Sequence, residues 1–220
     1  MLEREKTDPV LGKAIQEHLK KLNMHTPSVI PALSGVEKVN LVEQLMTEVL
    51  RCVGFDLSDD SMKETPRRVA KLLVNEKFWG LYPENFPKIM TIENKMGYNQ
   101  MLLERDIPVM SCCEHHLEAI IGKATVAYIP ANKVIGLSKL NRVVEYFSHR
   151  PQVQERLTQQ ILNSLQFILN TENVAVSITA LHQCVQCRGI SHVGCSTTTN
   201  CFGGVFLGNA SAREELLKFI

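Results

Sequence analysis

The feature that most constrains the fold is a run of metal-binding residue types at positions 111–116, Ser-Cys-Cys-Glu-His-His. Cys113 and His116 have the C-x-x-H spacing of two ligands to one tetrahedral zinc ion. A structural zinc site needs four protein ligands, whereas a catalytic site uses three and leaves one position for water. The fold must therefore bring further ligands to this run from another part of the chain.

A second ligand-rich segment lies far downstream, from His182 to Arg188. If this segment is a strand, His182, Cys184 and Arg188 share one face and Cys187 points the other way. That interpretation gives three ligands, Cys113, His116 and Cys184, and an open position. A tight turn at Cys184-x-x-Cys187 would instead close the site with four ligands, and the spacing alone leaves both arrangements open.

Composition limits the class of protein. A chain of 220 residues can form one sizeable domain, with or without a helical arm. The net charge of +1 gives no basic field for nucleic acid, and the apolar runs are too short to span a membrane. The charged residues 1–6 do not resemble a signal peptide, and the seven cysteines are odd in number and clustered. We therefore expect reduced thiols in a cytoplasmic protein.

The pattern of apolar residues predicts an α+β fold in two regions. Residues 8–22, 36–52 and 66–78 have helical spacing, separated by a linker at 26–31 and by possible N-caps at 58–61. This predicts an N-terminal helical region over residues 1–95 and a second domain over 96–220. In the second domain we expect strands near 101–110 and 120–129, a helix from Ser138 to Pro151 and a helix from Pro151 to 169. Strands at 173–187 and 196–206 and a helix at 211–219 follow.

Several cations have the arrangement of an anion site. Ser138 can cap a helix whose first-turn amides point outward, and Lys139 and Arg142 share one face of that helix. Such a helix start favours phosphate, and Arg68, Lys71 and Arg188 could add charge. Taken singly, each of these cations is better explained by a solvated surface position.

Imidazole and carboxyl groups add a possible acid–base function. His115 and His182 are extra imidazoles beside the metal-binding residues and can exchange protons near neutral pH, although a simple hydrogen-bonding role is the alternative. Gln154 and Glu155 fall in the first turn of the helix that Pro151 begins. Glu155 suits the helix dipole there, and a carboxylate beside an amide could also bind the donor-rich edge of guanine.

Taken together, these segments closely resemble the GTP cyclohydrolase I family in its zinc-dependent, bacterial-type form. The similarity extends from about residue 35 to the C-terminus and rests on several motifs in the same order. The motifs are Glu64-Thr65-Pro66 with Arg68, Cys113-Glu114-His115-His116, Gly136-Leu137-Ser138-Lys139, Arg150-Pro151-Gln152-Val153-Gln154-Glu155, and His182 with Cys184, Arg188 and Gly189.

The resemblance implies a tunnelling fold, an antiparallel sheet with helices on one face, behind an N-terminal helical arm. It also implies a homodecamer of two face-to-face pentamers with active sites between subunits. The implied reaction opens the imidazole ring of GTP, releases C8 as formate and rearranges the ribose to give 7,8-dihydroneopterin triphosphate. This is the first step of tetrahydrofolate-type pterin biosynthesis.

The resemblance also assigns roles to single residues. Zinc on Cys113, His116 and Cys184 would lower the pKa of a water molecule towards ~7 and supply hydroxide for C8. His115 would protonate the ring nitrogen, His182 would assist the release of formate, and Ser138 would serve the ribose rearrangement or the phosphates. Gln154 and Glu155 would hold guanine. The implied triphosphate clamp consists of Lys139, Arg142, Arg188, Arg68 and Lys71.

Two other functions are compatible with parts of this pattern. A non-catalytic, zinc-stabilised scaffold would use four protein ligands and would not turn over GTP. A different pterin or purine enzyme on the same fold would keep Glu155 but would not need the cations of the triphosphate clamp.

Overall fold

The computed structural model describes residues 6–220, so the expectation about a signal peptide falls largely outside the described residues. The N-terminal part is helical, as predicted. It contains α1 (Pro9–Lys21), α2 (Gly35–Cys52) and α3 (Thr65–Lys71), which continues as a π-helical segment, Leu72–Lys77. Two single turns of 3₁₀ helix, Trp79–Leu81 and Pro83–Asn85, complete this part.

Helix α2 begins with a regular N-cap, whereas the start of α3 differs from the prediction. Ser34 and Glu37 form a reciprocal capping box at the start of α2. The predicted N-caps at 58–61 do not cap α3, whose N-cap residue is Glu64 and makes no side-chain capping bond. The serines Ser58 and Ser61 instead bond the carboxylates of Asp56 and Asp59 in turns that precede the helix.

The central element is a five-stranded sheet. Its strands are β2 (Leu102–Cys113), β3 (Ala119–Tyr128), β5 (Pro151–Gln152), β6 (Val174–His182) and β7 (Ser196–Phe202). The order is β5-β2-β3-β6-β7, and every pairing is antiparallel except the short parallel contact of β5 with β2. Two further strands, β1 (Thr91–Glu93) and β4 (Lys133–Ile135), form a small separate sheet.

Two amphipathic helices, α4 (Leu137–Ser148) and α5 (Gln154–Leu169), cover one face of the sheet. Buried side chains of both helices meet alternate residues of the strands in one core, as period-2 and period-3.6 patterning requires. The core includes Val109, Val126, Val176, Ile178, Leu140, Phe147, Leu157, Ile161 and Leu165. The predicted α+β fold of an antiparallel sheet with helices packed on it is confirmed.

The N-terminal region shares this core. Ile15 and Leu19 of α1 and Phe86 are buried in the same hydrophobic cluster as the sheet. Gly12 allows this close approach, because a Cβ there would lie 2.0 Å from the carbonyl oxygen of Pro83. The proposed division near residue 95 stays a prediction, and the packing makes the two regions interdependent.

The C-terminal segment lies against the other face of the sheet, at one end. After Phe202 the chain forms α7 (Gly204–Gly208) and α8 (Ala210–Leu217), so the strand predicted to reach residue 206 ends earlier. Phe206 and Leu216 pack on Ala127 and Ala175 in a small second cluster.

Three element boundaries that matter for the site differ from the prediction. Helix α4 has Gly136 as its N-cap residue, without a side-chain bond, so Ser138 lies inside the first turn and does not cap it. Pro151 belongs to β5, and α5 begins only at Gln154. Strand β6 ends at His182 and is followed by the short helix α6 (Gln183–Gln186), where a continuing strand was expected.

None of the helices between residues 6 and 220 combines the length and apolar character that crossing a membrane requires.

Candidate metal centre and its surroundings

Strand pairing brings the two ligand-rich segments together. Cys112, at the end of β2, pairs with Ala119 at the start of β3. On the other side of β3, Ile120 pairs with His182 at the end of β6. The turn after β2 and the helix after β6 therefore emerge at the same edge of the sheet.

Cys113, His116 and Cys184 form a three-residue group at this edge. Their ligand atoms all lie within 4.8 Å of one another, and Cys113 Sγ lies 3.9 Å from His116 Nδ1. Two ligands of a tetrahedral zinc ion with ordinary Zn–S and Zn–N bonds are about 3.6 Å apart. Two thiols and one imidazole are also the donor types that zinc prefers, so the residues fit a three-ligand zinc site.

The environment of Cys184 favours a cation. Burial raises the pKa of the Cys184 thiol, and the neighbouring Cys113 thiol raises this pKa further. Two thiols held this close resist ionisation without a positive charge between them, and a metal ion supplies that charge.

Cys187 lies outside this group. It is exposed, and its thiol donates to Oε1 of Gln183 over 2.9 Å. The segment was expected to be a strand, and this expectation is wrong because Cys184 lies in a helical turn. The helical turn nevertheless separates the thiols of the two cysteines, as the strand argument predicted. The described residues thus contain a three-residue group and not the alternative four-residue one.

The turn that carries the histidines is held by an ion pair that the sequence analysis missed. Arg156 of α5 bonds both carboxylate oxygens of Glu114, at 2.6 and 3.3 Å, and lowers the pKa of Glu114. Its neighbour His115 is exposed, with Nδ1 3.8 Å from Cys113 Sγ. The only sequence signal for this pair was a carboxylate within the ligand motif.

A polar contact joins the buried Gln154 to the half-buried His182. Gln154 is 1% exposed, and its Oε1 lies 2.7 Å from Nε2 of His182. Its Nε2 bonds the carbonyl oxygens of Ile178 and Thr197 and the hydroxyl of Thr199. Burial lowers the pKa of His182, and the negative charge of Glu155 opposes that effect. Glu155 itself is exposed in the first turn of α5.

Of the predicted phosphate-binding cations, the structure brings one to the group. Nη1 of Arg188 lies 2.8 Å from Nε2 of His116. Ser138 is exposed and Lys139 and Arg142 are half-buried on α4, and Arg68 and Lys71 are exposed on α3. Among residues 6–220 of one chain, no described hydrogen bond or ion pair joins these five residues to the metal-binding group.

Cys112 points away from the group because it precedes Cys113 in a strand. It is buried, burial raises its pKa, and it lines a cavity of about 520 Å³ together with Lys77, Asn141 and His149. The side chains of the two adjacent cysteines therefore leave β2 in opposite directions.

Comparison with known proteins identifies the family. The model of the family "GTP cyclohydrolase I" matches residues 42–220. The chain is 51% identical to GTP cyclohydrolase 1 of Tolumonas auensis over 204 residues, which cover 93% of this chain and 94% of the relative. It is 51% identical to GTP cyclohydrolase 1 of Shewanella amazonensis over 206 residues, 94% of this chain and 95% of the relative. The identity to GTP cyclohydrolase 1 of Yersinia enterocolitica is 50% over 209 residues, 95% of each chain. The zinc-type ligand group and the two histidines beside it therefore lie within the matched region, and the chain belongs to the GTP cyclohydrolase I family.

Proposed function

We propose that this protein is a zinc-dependent GTP cyclohydrolase that converts GTP to 7,8-dihydroneopterin triphosphate and formate. The observation that carries the proposal is the group of Cys113, His116 and Cys184, with His115 and His182 beside it, in a chain of this family. The product would enter tetrahydrofolate-type pterin biosynthesis and one-carbon metabolism in the cytoplasm.

The three grouped residues would hold the metal. When bound, a zinc ion there lowers the pKa of a water molecule and so makes a nucleophile available for C8 of guanine. The bond between Cys187 and Gln183 supports a site with three protein ligands, because it occupies the thiol that would otherwise be the fourth.

The two histidines move protons. His115 is exposed beside Cys113 and is placed to protonate the nitrogen of the guanine imidazole ring as that ring opens. His182, half-buried and bonded to Gln154, assists the second hydrolysis, in which C8 leaves as formate. Ser138 serves the ribose rearrangement or the phosphates.

The base and the triphosphate are held by different residues. Glu155 is exposed at the start of α5 and binds the donor-rich edge of guanine. Both ends of the Gln154 amide are hydrogen-bonded within the protein. A contact of Gln154 with guanine therefore stays a prediction. The triphosphate clamp consists of Arg188, Lys139, Arg142, Arg68 and Lys71.

A complete site requires more than one chain. Among the described residues, no contact joins the cations on α3 and α4 to the metal-binding group of their own chain, so a neighbouring copy supplies them in this proposal. Helix α2 supports self-association, because it exposes a stripe of aliphatic side chains at helical spacing. The stripe consists of Leu41, Leu45 and Val49. We propose the homodecamer of two pentamers that the family resemblance implies, with GTP bound between subunits.

Incubation of the purified protein with GTP tests the proposal. The fluorescent oxidised pterin and formate are measured with zinc, with a chelator, and with zinc restored after chelation. We expect product in the first and third conditions and none in the second. The absence of product with zinc present would contradict the proposal and favour a zinc-stabilised scaffold.

A comparison of substrates distinguishes the proposed GTP cyclohydrolase from a different purine enzyme on the same fold. Guanosine and GDP are compared with GTP as substrates at equal concentration. Because five cations are assigned to the triphosphate, we expect guanosine to be a far poorer substrate than GTP. Equal turnover of guanosine would exclude the assigned clamp.

A further inference from the structure

We propose that Gln154 is a positioning residue that fixes the ring orientation and the proton position of His182. This inference deepens the proposed function and rests on it for the role of His182 in catalysis. It gives Gln154 a role different from contact with guanine, and the two roles predict different kinetics.

The orientation of the Gln154 amide follows from its partners. Its Nε2 lies 2.9 Å from the carbonyl oxygen of Ile178 and 3.0 Å from that of Thr197. A backbone carbonyl can only accept, so the group facing these two oxygens must be the NH₂ end of the amide. The two carbonyls belong to adjacent strands, β6 and β7, and the sheet therefore holds the amide in one orientation.

The same orientation decides which nitrogen of His182 carries the proton. The other end of the amide, Oε1, can only accept, and it lies 2.7 Å from Nε2 of His182. Nε2 must therefore donate, and in the neutral ring Nδ1 keeps the lone pair. Within residues 6–220, no described hydrogen bond occupies Nδ1.

The side chains of two threonines lie beside the Gln154 amide. The hydroxyl of Thr158 donates to the carbonyl oxygen of Gln154 over 2.8 Å. Thr199 Oγ1 lies 2.7 Å from Thr158 Oγ1, and since the Thr158 hydrogen is already used, Thr199 is the donor in this contact. Thr199 Oγ1 also lies 3.1 Å from Gln154 Nε2, and because the two amide hydrogens face the two carbonyls, this longer contact can only share one of them. Gln154 and Thr158 are buried and His182 and Thr199 are half-buried, whereas Thr197 is exposed, so water competes least at the Gln154 amide itself.

The first experiment needs no substrate and no variant at Gln154. The protein is labelled with ¹⁵N at its seven histidines, and the ring signals are recorded for the zinc-loaded protein. A His182→Asn variant identifies the signals of His182. We expect Nε2 to be protonated and Nδ1 to be unprotonated, and a ring protonated at Nδ1 would overturn the proposal.

The second experiment uses Gln154→Met, which keeps the length of the side chain but removes the acceptor for His182 and the donor for the two carbonyls. We expect kcat to fall by about 10- to 100-fold, which is part of the rate enhancement that a positioned acid–base group usually contributes. KM for GTP should change by less than ~3-fold. A ring-opened, formylated intermediate should accumulate, because His182 acts in the second hydrolysis. The His182 signals should also lose the single tautomer.

Gln159→Met is the matched control. Gln159 is an exposed glutamine on the same helix, so its variant should keep kcat and KM within ~2-fold of the unmodified protein. If Gln154→Met raises KM at unchanged kcat, Gln154 holds guanine and the positioning role is wrong. If the unmodified protein does not turn over GTP, the proposed function fails, but the ¹⁵N spectra still decide the position of the proton.

Discussion

The guanidinium of Arg188 donates to Nε2 of His116 over 2.8 Å, while Nδ1 of the same ring lies 3.9 Å from Cys113 Sγ. Arginine has no acceptor, so Nε2 must hold a lone pair in this arrangement. A histidine that binds a metal through one ring nitrogen normally carries a proton on the other nitrogen. Metal binding through Nδ1 would therefore place two donors face to face and displace Arg188 from His116.

This relationship predicts an unusual effect of Arg188→Met. Removal of the guanidinium should raise zinc affinity by about 2- to 10-fold. In the unmodified protein, zinc binding must break the hydrogen bond between Arg188 and His116, which is worth about 0.5–1.5 kcal/mol. The same variant should raise KM for GTP, since one cation of the clamp is lost. Zinc affinity is measured by competition with a chromogenic chelator, without nucleotide. Arg105→Met, at an exposed position of β2, is the control and should alter neither value. Weaker zinc binding by Arg188→Met would contradict the displacement.

The two cysteines around α6 should behave differently. We expect Cys184→Ala to lose zinc and activity, because Cys184 belongs to the three-residue group. Cys187→Ala should retain both, because its thiol is exposed and bonded to Gln183. Zinc content by atomic emission and turnover of GTP are measured on both variants. Loss of metal from Cys187→Ala would indicate a site with four protein ligands.

The ion pair between Arg156 and Glu114 should stabilise the turn that carries His115 and His116. Both side chains are largely shielded, at 19% and 24% exposure, so Arg156→Met should lower the free energy of unfolding by about 1–3 kcal/mol. The pair of Lys123 and Asp106 has a similar distance but is 69% and 67% exposed, and Lys123→Met should cost only about 0–1 kcal/mol. Denaturant unfolding of both variants provides the measurement. Equal losses would show that shielding does not distinguish the two pairs.

The aliphatic stripe of α2 should be buried in the assembled protein. Leu45 is 58% exposed in the single chain, and its burial between copies is worth about 1.5–3 kcal/mol. We expect Leu45→Glu to produce smaller assemblies in analytical ultracentrifugation at equal protein concentration. Gln44→Glu adds the same charge one residue earlier, at an exposed polar position, and should leave the assembly unchanged. An unchanged sedimentation profile for Leu45→Glu would exclude α2 from the interface.

The elements that could be predicted from the sequence are those that local pattern determines. Helical spacing of apolar residues located α1, α2 and α5, and the alternating run before Pro130 located β3. The same reasoning extended β6 beyond His182, because nothing in the residue types after His182 marks the change from strand to helix. Ser138 fitted a cap in composition, but Gly136 occupies that position in the structure.

The parts of the site that escaped prediction depend on tertiary contacts. Gln154 looked free to bind a ligand, since its acceptors lie on β6 and β7, whose pairing the sequence does not reveal. Arg156 is likewise distant in sequence from Glu114, and only the packing of α5 beside the end of β2 brings the two together. Residue identity predicted which groups could do chemistry, whereas the sheet determined which of them meet.

The position of the ligands on both sides of β3 has a consequence for the order of folding. Cys113 and His116 follow a local hairpin pairing, but Cys184 joins them only after β6 has crossed from far along the chain to pair with β3. Such long-range pairing is the slow step in chains of this kind. A newly made chain therefore cannot bring Cys184 to Cys113 and His116 until β6 has paired with β3, so we expect a metal bound by all three residues to report a correctly paired sheet.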